Sequence, residues 1–231
     1  MKRFIPLIIL IALALIVYFS DVMKWFSFET LQAYHTTFRS WVEHHFFLVS
    51  LAYIGIYIAI AAFSLPVASY YSIFGGYLFP QPYCTIYVVI GATIGATILF
   101  SICKTALGSS LLDKVKTFLT KLEKGFSQGA VGYLLFLRFV PIFPFWLVNI
   151  APAFFNVRLV TFAWTTFVGI IPGAFVFTQA GRGLESLLES NEPFTLQGIL
   201  TPEMKLALAA IGILALLPFV IKKTITKFKS Q

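Results

Sequence analysis

The stretch FLRFVPIFPFWLVNIAP, from Phe136 to Pro152, decides the fold of this chain. It is apolar enough to lie inside a membrane, yet it contains the helix breakers Pro141 and Pro144 and the permanently charged Arg138. An arginine at the centre of a bilayer costs on the order of 3 kcal/mol unless it faces protein or water. The stretch therefore predicts a broken segment that lies at membrane depth but is lined by protein.

The composition of the chain indicates a multi-pass α-helical membrane protein. Of its 231 residues, 59% are hydrophobic and 11% are charged, and several apolar runs approach the roughly 20 residues that cross a bilayer. The net charge of +8 fits contact with anionic lipid, so nucleic acid is not expected as a partner. Cys84, Cys103 and the three histidines show no disulfide framework or metal-ligand spacing, and no metal or cofactor is expected.

The two halves of the chain come into register after a shift of 78 positions, the interval from Pro66 to Pro144 (144 − 66 = 78). The shift aligns four further pairs: Gly91 with Gly169, Gly95 with Gly173, Ala96 with Ala174, and Lys104 with Arg182. Each half reads as a proline-broken apolar segment, a span with glycines at GxxxG spacing, and a cation. This order favours an internal duplication.

The lysines predict the topology, because positively charged segments stay in the cytoplasm. The lysine-rich segments are the N-terminus, residues 104–124 and residues 222–229. Residues 21–45 and 181–205 contain fewer cations and should lie on the opposite side. The segments 46–82 and 130–157 must then each begin and end on one side, as re-entrant hairpins that enter from opposite faces.

The predicted fold is thus an all-α polytopic membrane protein with two inverted repeats, each a re-entrant helical hairpin plus a transmembrane helix, and with amphipathic interfacial helices. Residues 1–45 form a retained first transmembrane helix and an interfacial amphipathic segment. Residues 46–184 form the core. Its segments are hairpin 46–82, transmembrane helix 83–103, basic amphipathic helix 104–128, hairpin 130–157 and transmembrane helix 159–180. Residues 185–231 hold an external loop, a last transmembrane helix at about 202–221 and a basic cytoplasmic tail.

The hairpin tips should meet near the midplane around a polar cavity. Arg138 and Asn149 would face it from the second hairpin, with Arg158 as a weaker candidate. The first hairpin would offer Ser64, Pro66, Ser69, Tyr70, Tyr71 and Ser72. Close helix packing is expected at small or helix-bending residues: Gly75, Gly76, Gly91, Gly95, Gly169, Pro172 and Gly173.

The segments LFLRFVPIFPFWLVNIAP, TTFVGIIPGAFVF and QAGRGL, preceded by FGGYLFP and GATIGA, resemble the VTT domain of the DedA superfamily, of the SNARE-associated Golgi protein type. The resemblance implies two opposed re-entrant hairpins and movement of lipid across bilayers. It gives Arg138, Pro141, Pro144 and Asn149 the family's second-hairpin roles. This chain lacks the acidic residues that better-known bacterial members carry in the first hairpin.

The expected function is a flippase or scramblase for an anionic lipid headgroup, such as a polyprenyl phosphate or a phospholipid. A proton- or ion-coupled small-solute transporter and a non-transporting membrane scaffold remain alternatives. An enzyme is not expected, because no catalytic motif or carboxylate pair lies in a span. We expect a bacterial inner (plasma) membrane location with both termini cytoplasmic. A homo-oligomer is left open, because GATIGA can pack internally or across protomers.

Overall fold

The computed structural model describes residues 28–106, 125–126, 129–139, 144–155, 157–190 and 201–213. Within these residues the chain is helical, with no strand. The helices are α1 (Phe28–Ala62), α2 (Ala68–Leu78), α3 (Tyr83–Ala106), α4 (Gly129–Phe139), α5 (Phe145–Ile150), a 3-10 turn (Ala151–Phe154), α6 (Leu159–Ser190) and α7 (202–213). The predicted first transmembrane helix, most of the basic amphipathic helix, Pro141 and the basic tail lie outside the described residues.

Three of these helices are long and apolar enough to cross a membrane: residues Thr30–Ala62, Tyr83–Thr105 and Leu159–Leu188. Their outward surfaces carry apolar side chains such as Ile94, Ile98 and Phe167, which a soluble protein would bury. The chain is therefore a multi-pass membrane protein, as its composition predicts.

Helix α1 consists of two parts, because His45 has a non-helical backbone (φ −134°, ψ 37°). The first part carries the polar residues of the predicted interfacial segment, and the apolar second part, residues 46–62, is about 25 Å long. Phe63 to Pro66 turn the chain, and Ser64 adopts a positive φ of 48° there. Helix α2 then returns beside the second part of α1. We call these two limbs the first helical pair.

The first helical pair begins and ends at the same level of the molecule. The ring of Phe46, where the pair begins, lies edge-on against Phe79 and Tyr83, where it ends and α3 starts (centroid distances 5.9 and 5.8 Å). Its turn lies beside the middle of α3, where Gly95 packs against Ile58 and Ala61.

The second helical pair consists of α4 and of α5 with its 3-10 turn. Phe126, just before α4, stacks on Phe155, just after the turn, at 4.4 Å. This end of the pair lies near the end of α3, where Phe100 stacks on Phe162 of α6 and the Lys104 ammonium donates to the Val157 carbonyl at 2.6 Å. The two helical pairs therefore have their open ends at opposite ends of α3.

Helices α3 and α6 run antiparallel between the two pairs. Thr85 at the start of α3 bonds Thr178 late in α6 at 2.8 Å, and Phe100 near the end of α3 meets Phe162 early in α6. Helix α6 continues beyond the predicted end at Ala180 to Ser190. The continuation follows from GLESLLES, whose leucines Leu184 and Leu188 pack against Leu31 and Tyr77.

Candidate functional site

The Arg138 side chain is held by polar groups from two neighbouring elements. One terminal nitrogen, Nη2, donates to the Asn149 side-chain oxygen of α5 at 2.7 Å and to the Thr166 hydroxyl of α6 at 2.9 Å. The guanidinium also lies over the rings of Phe145 and Phe162, at 5.8 and 5.6 Å from their centroids. These contacts fix the orientation of the cation and partly replace its water.

The stem of Arg138 passes α6 at a glycine. A Cβ atom at Gly169 would lie 2.7 Å from Arg138 Cβ and 2.9 Å from its Cγ, closer than real side chains approach. Glycine here lets α4 approach α6 closely enough for the guanidinium to reach Asn149 and Thr166.

Two donors in this cluster have no hydrogen-bond partner among the residues that the structure describes. They are Arg138 Nε and Asn149 Nδ2, and both atoms are buried. An unpaired buried donor costs about 1–3 kcal/mol, so such groups are uncommon away from functional sites. One of these donors belongs to the arginine itself, and Asn149, which supplies the other, is 0% exposed.

Arg138 also lines a cavity of about 280 Å³ at the centre of the described structure. Four elements contribute to its wall. The first helical pair provides Tyr57, Ala68, Ser69 and Ser72; α3 provides Val88 and Ala92; the second pair provides Leu137, Arg138, Phe145 and Val148; α6 provides Ile170, Gly173, Ala174 and Phe177. No carboxylate is among these lining residues.

Two hydroxyl groups that the first helical pair contributes to the cavity wall already donate a hydrogen bond. Ser72 Oγ donates to the Ala68 carbonyl at 2.9 Å, so the 2.9 Å bond between Tyr57 and Ser72 has the Tyr57 hydroxyl as its donor. The hydroxyl oxygens of Tyr57 and Ser72 are thus left to accept. The cavity therefore has a cationic donor wall and a neutral acceptor wall.

The predicted site residues are only partly brought together. Arg138 and Asn149 are in direct contact, and Pro144 starts α5 at the edge of this cluster. Pro66 lies exposed in the turn of the first helical pair and does not line the cavity. Pro141 lies outside the described residues.

Three predicted side chains point elsewhere. Tyr70 is 48% exposed on the outer surface of α2. Tyr71 is buried, but it stacks on Tyr53 at 4.6 Å within the first helical pair instead of facing the cavity. Arg158 is exposed before α6.

Of the polar residues predicted in the first hairpin, Ser69 and Ser72 line the cavity. Thr166 and Tyr57 were not predicted. Each is a common residue type in an apolar helix, and only the rotation of its helix decides whether it faces the cavity. The helical repeat places Thr166 on the same side of α6 as Gly169 and Gly173, three and seven positions later, and this signal could have identified it.

The packing residues named from the sequence make several close approaches. A Cβ atom at Gly75 would overlap the Tyr53 ring, at Gly91 it would lie 2.8 Å from Tyr57 Cβ, and at Gly76 and Gly95 it would overlap backbone atoms of α6 and α1. Gly173 differs, because nothing lies within 4 Å of its Cβ position and it lines the cavity. Pro172 lies inside α6.

The fold and site define a multi-pass helical membrane protein with a mostly apolar cavity that holds one arginine. The VTT domain model matches residues 65–183, which is half of the chain. The chain belongs to the VTT-domain family of the DedA superfamily, and the resemblance seen in the sequence is confirmed.

Relatives in animals and amoebae cover most of the chain. A Transmembrane protein 41 homolog of Caenorhabditis elegans is 32% identical over 82% of this chain and 74% of its own length. The Dictyostelium discoideum homolog is 28% identical over 85% of this chain, and Transmembrane protein 41B of Homo sapiens is 27% identical over 76%. The match spans 58% and 59% of the length of these last two proteins. No solved structure matches the chain significantly.

Proposed function

We propose that the protein is a lipid flippase or scramblase that moves an anionic headgroup through the central cavity. The headgroup would be a phosphate ester, such as a phospholipid or a polyprenyl phosphate. Its oxygens accept hydrogen bonds from Arg138, while its hydrocarbon tail stays in the surrounding lipid.

One observation carries this proposal: the cavity is lined by both helical pairs and by Arg138, a cation whose Nε has no hydrogen-bond partner among the described residues. A soluble anion and a lipid headgroup need the same donors. A lipid is favoured, because the remaining cavity wall is apolar and the apolar spans surround it.

The arrangement of the two helical pairs supports a re-entrant, inverted topology. The ring contacts of Phe46 with Tyr83 and of Phe126 with Phe155 put the open ends of the pairs at opposite ends of α3. Together with the lysine distribution, this favours hairpins that enter from opposite faces, with both termini in the cytoplasm. The bilayer between the turns would then be thin enough for a headgroup to cross.

Carboxylate-based proton coupling receives no support from the cavity wall, since no Asp or Glu is among the described residues that line it. The proposal therefore favours transport down a gradient, which is scrambling, over proton-driven pumping. A lipid scramblase needs only a polar path through the hydrocarbon region.

Reconstitution of the full chain into liposomes tests this function. The liposomes contain a trace of fluorescently labelled phosphatidylglycerol or labelled polyprenyl phosphate in both leaflets, and a membrane-impermeant reductant is added outside. Scrambling lets the reductant destroy the inner-leaflet signal as well, whereas protein-free liposomes retain it. Retention of the inner-leaflet signal for both lipids, with and without a pH gradient, would overturn the proposal.

A further inference from the structure

A second cavity, of about 230 Å³, lies where the first part of α1 crosses the ends of α2 and α6. We call it the outer cleft. Its lining residues are His35, Phe38, Arg39, Val42, Glu43, Tyr77, Leu78, Pro80, Arg182 and Glu185. None of them lines the central cavity, so the outer cleft is a separate site.

Two cations and two anions face this one cleft from two different helices. On the α1 wall, Arg39 Nε lies 3.3 Å from Glu43 Oε1, and on the α6 wall Arg182 pairs with Glu185. The side chains of the first pair are 52% and 62% exposed, and those of the second 41% and 20%. The exposed pair of Arg39 and Glu43 contributes little by itself, so a ligand in the cleft can share the charges of the α1 wall.

The cleft lies at the ends of the apolar spans. Its α1 wall precedes the kink at His45, after which α1 is apolar, and its α6 wall follows the apolar part of α6. Exposed Tyr34 and Trp41 flank the α1 wall, and such aromatic residues are typical of the headgroup level. The contacts of Phe38 with Phe74 and Tyr77 give the cleft an apolar floor.

We propose that the outer cleft binds the headgroup of a zwitterionic phospholipid, one that carries a phosphate and an ammonium, such as phosphoethanolamine. The guanidinium groups of Arg39 and Arg182 bind the phosphate oxygens, and the carboxylates of Glu43 and Glu185 bind the ammonium. A lipid with only a negative headgroup satisfies the arginines but leaves both carboxylates facing an anion. The cleft therefore selects zwitterionic over purely anionic headgroups.

Native mass spectrometry of the full chain in detergent micelles tests this inference. The probes are short-chain phosphatidylethanolamine and short-chain phosphatidylglycerol. We expect the unmodified protein to bind the first lipid more tightly. Glu43→Gln should weaken phosphatidylethanolamine binding about tenfold, the loss of one charge-assisted hydrogen bond, and leave phosphatidylglycerol binding unchanged or tighter.

Glu43 suits this test, because its exposed side chain leaves the fold independent of the substitution. Glu203→Gln is the matched control, since Glu203 is exposed at the start of α7 and does not line the cleft. It should bind both lipids as the unmodified protein does. Equal affinity of the unmodified protein for the two lipids, or an unchanged preference in Glu43→Gln, would overturn the inference. Neither result depends on whether the protein transports lipid.

Discussion

At the scale of single residues, Arg138 is tolerated in an apolar region because three other positions accommodate it. Asn149 and Thr166 accept its hydrogen bonds, and Gly169 makes room for its stem. Arg138 and Asn149 were predictable, because a charge and an amide are rare in an apolar run. Thr166 was not, since nothing in the sequence separates it from the adjacent Thr165 before the rotation of α6 is known.

Replacing Arg138 by glutamine should lower the rate of phosphatidylglycerol flipping in liposomes about tenfold to hundredfold. Hydrogen bonds to charged groups contribute about 1.5–3 kcal/mol. Glutamine has a neutral amide, so the variant cannot make the charged hydrogen bond to the headgroup. Arg158→Gln is the control, because Arg158 is exposed and outside the cavity, and it should flip lipid at nearly the unmodified rate. Equal rates for the two variants would contradict a role of Arg138 in headgroup binding.

Thr166→Val should destabilise the protein by about 1–3 kcal/mol and slow flipping, because it leaves Arg138 with one acceptor fewer at nearly unchanged shape. Thr165→Val is the matched control. Thr165 is equally buried, but its hydroxyl donates only to carbonyls of its own helix, at Thr161 and Phe162. Thermal unfolding in detergent micelles measures the difference. A Thr165 variant that loses as much stability as the Thr166 variant would show that the hydrogen bond from Arg138 to Thr166 contributes nothing to stability.

At the scale of elements, α2 and α6 approach each other closely at two glycines. A Cβ atom at Gly76 would overlap the Thr178 carbonyl, and one at Gly181 would overlap the Ile73 carbonyl. The sequence pattern named Gly76 for packing, but it treated Gly181 as the end of a span. Only the neighbouring backbone of α2 explains why a glycine stands inside a helix that continues to Ser190.

Gly76→Ala and Gly181→Ala should therefore each destabilise the protein by about 1–3 kcal/mol, because backbone atoms, unlike flexible side chains, cannot move aside cheaply. Gly132→Ala in α4 is the control, since nothing lies within 4 Å of its Cβ position. It should be neutral or slightly stabilising, as alanine favours helix over glycine. Urea or heat unfolding of the three variants in micelles checks the order. A Gly132 variant as unstable as the other two would contradict it.

At the scale of the whole molecule, the sequence predicted the helical membrane class, the breaks at the prolines and the order of a broken segment followed by a long helix in each half. Pro66 and Pro144 predict those breaks, because proline interrupts a helix wherever it occurs in the helix interior. The cavity wall was harder to predict. Ser69 and Ser72 of the first hairpin were predicted to face the cavity and do. Tyr57 enters it only through the tertiary packing of the first helical pair on α3 and α6, and Tyr71 turns away to stack on Tyr53.

The central claim is that a lipid headgroup passes through the cavity between the two helical pairs. Gly173 offers a direct test, because it lines the cavity and has open space around its Cβ position. A leucine there projects into the cavity, whereas Gly132→Leu places the same side chain on the exposed face of α4. The measurement is the rate of labelled phosphatidylglycerol flipping in liposomes that contain equal amounts of each folded variant. We expect the flipping rate to fall at least about tenfold in Gly173→Leu and to stay near normal in Gly132→Leu. Equal, undiminished rates in both variants would contradict it.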